Sequence, residues 1–227
     1  MSLLKNHKKN FLCSLVLCLA ALAAVTACNH KASEVKTQEG TDLFRADPSL
    51  DRYIDKIPQD TILEAEPGAD TPMLLFANDK YIGVLCLKGI LIFNSSSGEL
   101  STVLDTEGLG FEETQGDQAI LDYVNNDCLV LYKAGENQGY MYSFKEKALS
   151  KIDDIDKLYP NKNVYDELTL DASEKIWEAI GDTGRAVQYK DHFVALITDY
   201  ENIKNTSVYV LDEKFNIVLN FKIGSEK

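Results

Sequence analysis

Few side chains in this 227-residue chain have the type and spacing that chemistry needs. Between residues 53 and 227 the sole histidine is His192, beside a Lys190-Asp191 turn that opens a strand. A general base there needs a nucleophile within reach, and no G-x-S-x-G elbow or comparable motif occurs, so a surface or rim position is expected. No His or Cys set has zinc-ligand spacing. Asp153, Asp154 and Asp156 form an acidic run, but they lack the alternating spacing, the following Gly and the distal Glu of a calcium loop. A solvated turn is the expected role. Gly108-Leu109-Gly110 neither extends to G-x-G-x-x-G nor opens a helical pattern, which argues against nucleotide binding. Loop carboxylates such as Glu112, Asp122 and Asp153 would serve hydrolysis only if two of them faced one substrate. These readings assign no catalytic, cofactor or metal-binding residue.

The one residue with a specific chemical expectation is Cys28. It follows a basic stretch (Lys5, His7, Lys8, Lys9) and an apolar run from Phe11 to Ala27, and it closes Val25-Thr26-Ala27-Cys28. That order reads as a secretory signal over residues 1–27 with small residues at the cleavage site; an uncleaved transmembrane helix is the alternative, short for a span at 17 residues. The same tetrapeptide resembles the lipobox of bacterial lipoproteins, which implies lipidation of Cys28 and a membrane contact through acyl chains. Asn29, rather than Asp, leans the expected location towards an outer membrane, if there are two. The first 27 residues hold three of the 23 basic side chains and none of the 36 acids. The remaining 200 therefore carry 20 basic against 36 acidic groups, a formal −16. So acidic a surface repels phosphate backbones and anionic headgroups, which argues against nucleic acid and leaves the lipid as the expected membrane contact.

Cys13 and Cys18 leave with the signal, so Cys86 and Cys128 are the only other thiols. They fall at opposite ends of equivalent strands, too far apart to bridge, and two buried free thiols are expected.

Positioning elements come next. Residues 28–52 are polar and read as a flexible tether after the anchor. The folded domain is expected over 53–227, with a strand at Thr61 to Glu66. From Met73 a unit repeats three times. MLLFA, YIGVLCL, ILIFN and ELSTVL make the first; AILDYV, CLVLYK, YMYSF and ALSKI the second; AVQY, FVALIT, SVYVL and FNIVLNF the third. Asn, Asp, Gly, Lys and Ser turns separate the runs. The second run of each unit is apolar at nearly every position, as in a strand covered on both faces. The expected fold is all-β: a β-propeller-like series of about three four-stranded antiparallel meanders, with a β-sandwich as the alternative. Units two and three are separated by an insertion, in which Asp171-Ala172-Ser173-Glu174 reads as a capping box. A short helix should follow, packing Trp177 on the sheet edge, or acting as a lid. Tyr140 and Tyr142 share one strand face and are read as filling between sheets, with stacking on a sugar or peptide as the functional option.

Gly108-Leu109-Gly110-Phe111-Glu112-Glu113, followed by Ile120-Leu121-Asp122-Tyr123 and the Asn125-Asn126-Asp127 turn, resembles bacterial six-bladed β-propeller lipoproteins over about 150 residues of repeat pattern. The resemblance implies the architecture and a general binding role, and it implies no functional residues. The chain departs from it in blade count. The expected function is a lipid-anchored cell-envelope binding or interaction protein without catalysis, with a homodimer or envelope protein as possible partner. An envelope polysaccharide- or peptide-cleaving enzyme and a structural subunit of an envelope complex are the alternatives.

Overall fold

Alternating and fully apolar β-branched runs separated by turn residues have one stable outlet, which is sheets that cover one another. The computed structural model describes residues 44–64, 72–111, 119–125, 127–133, 135–155, 168–181 and 185–224, all within the compact unit Asp42–Lys227. In chain order the strands are β1 Phe44–Ala46, β2 Met73–Ala77, β3 Tyr81–Cys86, β4 Gly89–Asn94, β5 Leu100–Asp105, β6 Ala119–Asn125, β7 Cys128–Lys133, β8 Gly139–Ser143, β9 Ala148–Ile152, β10 Arg185–Tyr189, β11 His192–Ile197, β12 Ser207–Leu211 and β13 Ile217–Lys222. The helices are α1 Gln59–Ile62 and α2 Leu170–Ile180. The fold is all-β. β2 to β5, β6 to β9 and β10 to β13 each form a four-stranded antiparallel meander, and β1 adds a fifth strand to the second beside β9.

The sheets do not stack in chain order. On β4, Leu91 and Phe93 face Val194, Leu196, Val208 and Val210 of the third sheet. Ile90 and Ile92, pointing the other way, pack with Leu129, Leu131 and Tyr142 of the second. The first sheet is thus the middle layer. A bulge between Leu74 and Phe76 turns both Leu75 and Phe76 towards the second sheet. β3, β7 and β11 are covered on both faces, as their unbroken apolar runs require. Among the described residues no apolar cluster joins the second sheet to the third. The outer face of the third sheet is taken by α2, which sets Ala172 and Ile176 on Phe193, Ala195 and Leu211.

Four expectations are corrected. Folded chain includes Phe44 to Arg52, ahead of the expected start near Tyr53, because Leu50 and Ile54 are buried and β1 pairs with β9. Thr61 is in the helical turn α1 rather than a strand, since Pro58 precedes it and Ile62 is fully buried between sheet ends. The N-cap of α2 is Thr169, whose Oγ1 accepts from the Ala172 N–H at 3.2 Å; Asp171 pairs with Lys175 instead. Trp177 lies off the packed stripe and is 61% exposed, so Ile176 and Ala172 seat the helix, on the sheet's face and not its edge.

Residues 44–64 form a belt across the three sheets. β1 pairs with β9, and Asp47 binds Lys151 at 2.8 Å. Lys151 first, then Ser49, holds the Asp47 carboxyl well below the usual carboxylate range. Ile54 bridges Leu104 on β5, while Asp55 exchanges two hydrogen bonds with Val103. Finally Gln59 donates to the Ile223 carbonyl, and Asp60 pairs with Lys204 at 2.6 Å. Among the described residues no helix is long and apolar enough to cross a membrane.

Candidate functional site

Three features far apart in sequence meet at one end of the first two sheets. Leu109, Gly110 and Phe111 of the β5–β6 link, Lys133 at the end of β7, Glu136 and Gln138 of the β7–β8 turn, Tyr140 on β8, and Lys151 and Asp153 at the end of β9 line a cleft of about 430 Å³. The link is shaped by its own backbone. Asp105 Oδ1 accepts from the Gly108 N–H at 2.7 Å, and Gly110 adopts φ +88°, which a side chain would oppose. Phe111 is thereby buried and meets Tyr140 edge-on, with centroids 5.9 Å apart. At Gly139 a Cβ would lie 2.3 Å from the Leu131 carbonyl oxygen and 3.0 Å from Ile155 Cδ1, so only glycine lets the cleft floor close. Asn137 ties the turn to the chain after β9, its Nδ2 donating to Asp154 Oδ1 at 3.0 Å and its carbonyl accepting from the Ile155 N–H. The cleft therefore offers an aromatic wall with both charge signs on its lining.

The link, Tyr140 and Asp153, each singled out in the sequence, come together here. Tyr142 does not: it is buried against the first sheet, hydrogen bonded to Thr102 Oγ1 at 3.1 Å. Burial pushes its hydroxyl up to about 12, against a smaller lowering by Thr102. Cys28, Glu112 and Asp156 lie outside the described residues, and Asp122 is on β6, outside the described side chains. Cys86 and Cys128 are free, at the end of β3 and the start of β7. Burial pushes the Cys86 thiol up to about 12. Cys128, only half-buried and not buried as expected, is raised by burial and then by Asp127 and Glu146. No three His, Cys, Asp or Glu converge to hold a metal ion among the described residues.

His192 lies at the opposite sheet ends, in a groove of about 460 Å³ between the first and third sheets. It faces Tyr189 across the β10–β11 hairpin, the rings near-parallel at 17° and 5.6 Å apart. Sequence reasoning passed over Tyr189, although a two-residue turn flanked by two rings was the available signal. No protein-family model matches this chain, and no curated protein matches it.

Proposed function

We propose that the chain is a lipid-anchored cell-envelope protein that binds a ligand or partner and catalyses no reaction. The anchor rests on Val25-Thr26-Ala27-Cys28 and on the acidity of the chain beyond Cys28. One observation carries the binding role: the cleft that gathers Tyr140, Lys133, Glu136 and Asp153 of the second sheet and its turns against Phe111 of the β5–β6 link. Its volume is that of a small-molecule site, with an apolar wall and a few polar groups to set orientation. A ligand that carries both charges and an apolar edge, such as a peptide-bearing wall fragment, matches it.

Palmitate labelling of the full chain in a bacterial host tests the anchor. Label that enters the membrane fraction and is lost in Cys28→Ala is expected; unlabelled, soluble wild type refutes it. Titration with soluble muropeptides tests the cleft, where Tyr140→Ala and Lys133→Glu should each weaken binding.

The cleaving alternative also has one observation behind it, that Glu136 and Asp153 line the same cleft. Release of new reducing ends or free amines from peptidoglycan, abolished by Glu136→Gln or Asp153→Asn, would replace the binding-only reading.

A further inference from the structure

The groove around His192 has a composition of its own, independent of the cleft. Its wall is the Tyr189–His192 ring pair, which closes the β10–β11 hairpin. Its floor is Val210 and Leu219, with the exposed Val218 beside them on the lining. Its rim carries hydroxyls and ions. The exposed Ser96 and the buried Ser95, whose hydroxyl donates to the Asp79 carbonyl at 2.7 Å, come from the β4–β5 turn, Asp79 from the β2–β3 turn, and Lys190 and Asp191 from the hairpin tip. The Lys190 ammonium crosses from the third sheet to the Asp79 carboxylate of the first. It does so from a left-handed backbone, φ +53°, that an L-residue enters at a cost. Asp191 accepts from His192 Nδ1 at 3.0 Å, which, with its own backbone, holds its carboxyl below the usual range and ionised at neutral pH.

We propose that this groove binds a neutral saccharide, with a pyranose ring laid on the Tyr189–His192 pair and its hydroxyls on the rim.

Each part of the groove selects for that chemistry. An aromatic face attracts the weakly positive C–H face of a sugar ring through its quadrupole. Ionised carboxylates are acceptors only, with up to four lone-pair sites for hydroxyl donors, and a serine hydroxyl both donates and accepts. An anionic ligand would meet Asp79 and Asp191, while a cationic one would compete with Lys190 for Asp79. Neither penalty falls on a neutral polyol. The volume of about 460 Å³ falls in the range of small-molecule sites.

Isothermal titration of the full chain in detergent tests the proposal, using chito-, cello-, xylo- and mannohexaose against hexagalacturonate and a chitosan hexamer. At least one neutral hexasaccharide should bind with Kd below about 1 mM. Tyr189→Ala and His192→Ala should each weaken it about tenfold. Tyr140→Ala, in the cleft at the other end, should leave it unchanged, which separates this site from the cleft. Ser96→Trp, which fills the groove from its exposed rim, should abolish binding and stands in if Tyr189→Ala lowers the melting temperature. No neutral binding at millimolar concentration, preference for a charged hexamer, or indifference to both Tyr189→Ala and Ser96→Trp overturns the proposal.

Discussion

The bond between Tyr142 and Thr102 gives the most demanding test of how the first two sheets are joined. Both residues are at most 2% exposed, and their hydroxyls meet at 3.1 Å across the sheet interface. A neutral buried hydrogen bond contributes about 1 kcal/mol net, but stranding one partner costs about 1–3 kcal/mol. Tyr142→Phe removes one oxygen and opens no cavity, yet leaves Thr102 without this partner; Thr102→Val strands the Tyr142 hydroxyl. Each single variant should therefore lose about 1–3 kcal/mol, and the double variant less than the two summed, with a coupling of about 1–2 kcal/mol. Urea unfolding measures all four corners, with m unchanged if the denatured state is unaffected. The melting temperature should fall by about 2–4 °C per kcal/mol. Absorbance titration gives a second readout, because wild type should hold one tyrosine that ionises near 12 and Tyr142→Phe should not. A coupling within about 0.3 kcal/mol of zero, inside ordinary additivity error, would refute the claim that this bond joins the sheets.

Ile176→Ala on α2 should cost about 2–5 kcal/mol in urea unfolding, whereas the neighbouring Trp177→Ala should stay within about 0.5 kcal/mol; the reverse order would put the wrong face on the sheet. Raising pH should destabilise the fold from pH 9 to 12. Cys86 and Tyr142 keep their protons when folded but lose them near 9 and 10 when unfolded, so the unfolded state binds fewer protons across that window. Cys86→Ala should flatten this slope, by up to about 4 kcal/mol at pH 12 for three units at 1.36 each; an unchanged slope refutes the burial of the thiol. Gly139→Ala should lose at least about 1–3 kcal/mol, because the new methyl meets the Leu131 carbonyl, and Ile155→Ala should not rescue it.

The strands were legible because period and composition are local. YIGVLC, CLVLYK and HFVALI are apolar on both faces, and each is a strand covered on both sides. What covers each face was not legible. Ile90 and Leu91 are neighbours of one chemical type that face different sheets, and nothing in either side chain names its partner. The belt was missed for a related reason. Leu50 and Ile54 are sparse apolar residues in a polar stretch, and their burial depends on edges formed about fifty residues later in the chain, at β5. The helix showed its period, but Trp177 sits about 100° around from Ile176, so a large residue drew the reading off the packed stripe. Of the candidate site, Tyr140, the Gly108-Leu109-Gly110 link and Asp153 were visible one by one. Their meeting follows from the β7–β8–β9 register and could not be seen before it.

The order of layers bears on how such a chain remains a stable unit. A repeat that stacks in sequence leaves its first and last sheets bare, and each needs a cap. Here the first sheet is covered by its successor on one face and by the last sheet on the other, so the sheet that precedes the rest in sequence has no bare face. The third sheet's far face carries α2, on the side where a further sheet would otherwise stack. Outer edges remain, and unpaired edges invite mispairing. The belt answers two of them, with β1 on β9 and Ile54-Asp55 on β5, before it reaches Ile223 and Lys204 at the third sheet. Fifteen residues separate Cys28 from this belt. Residues 44–64 therefore tie the sheets together, and their loss would expose both edges at once.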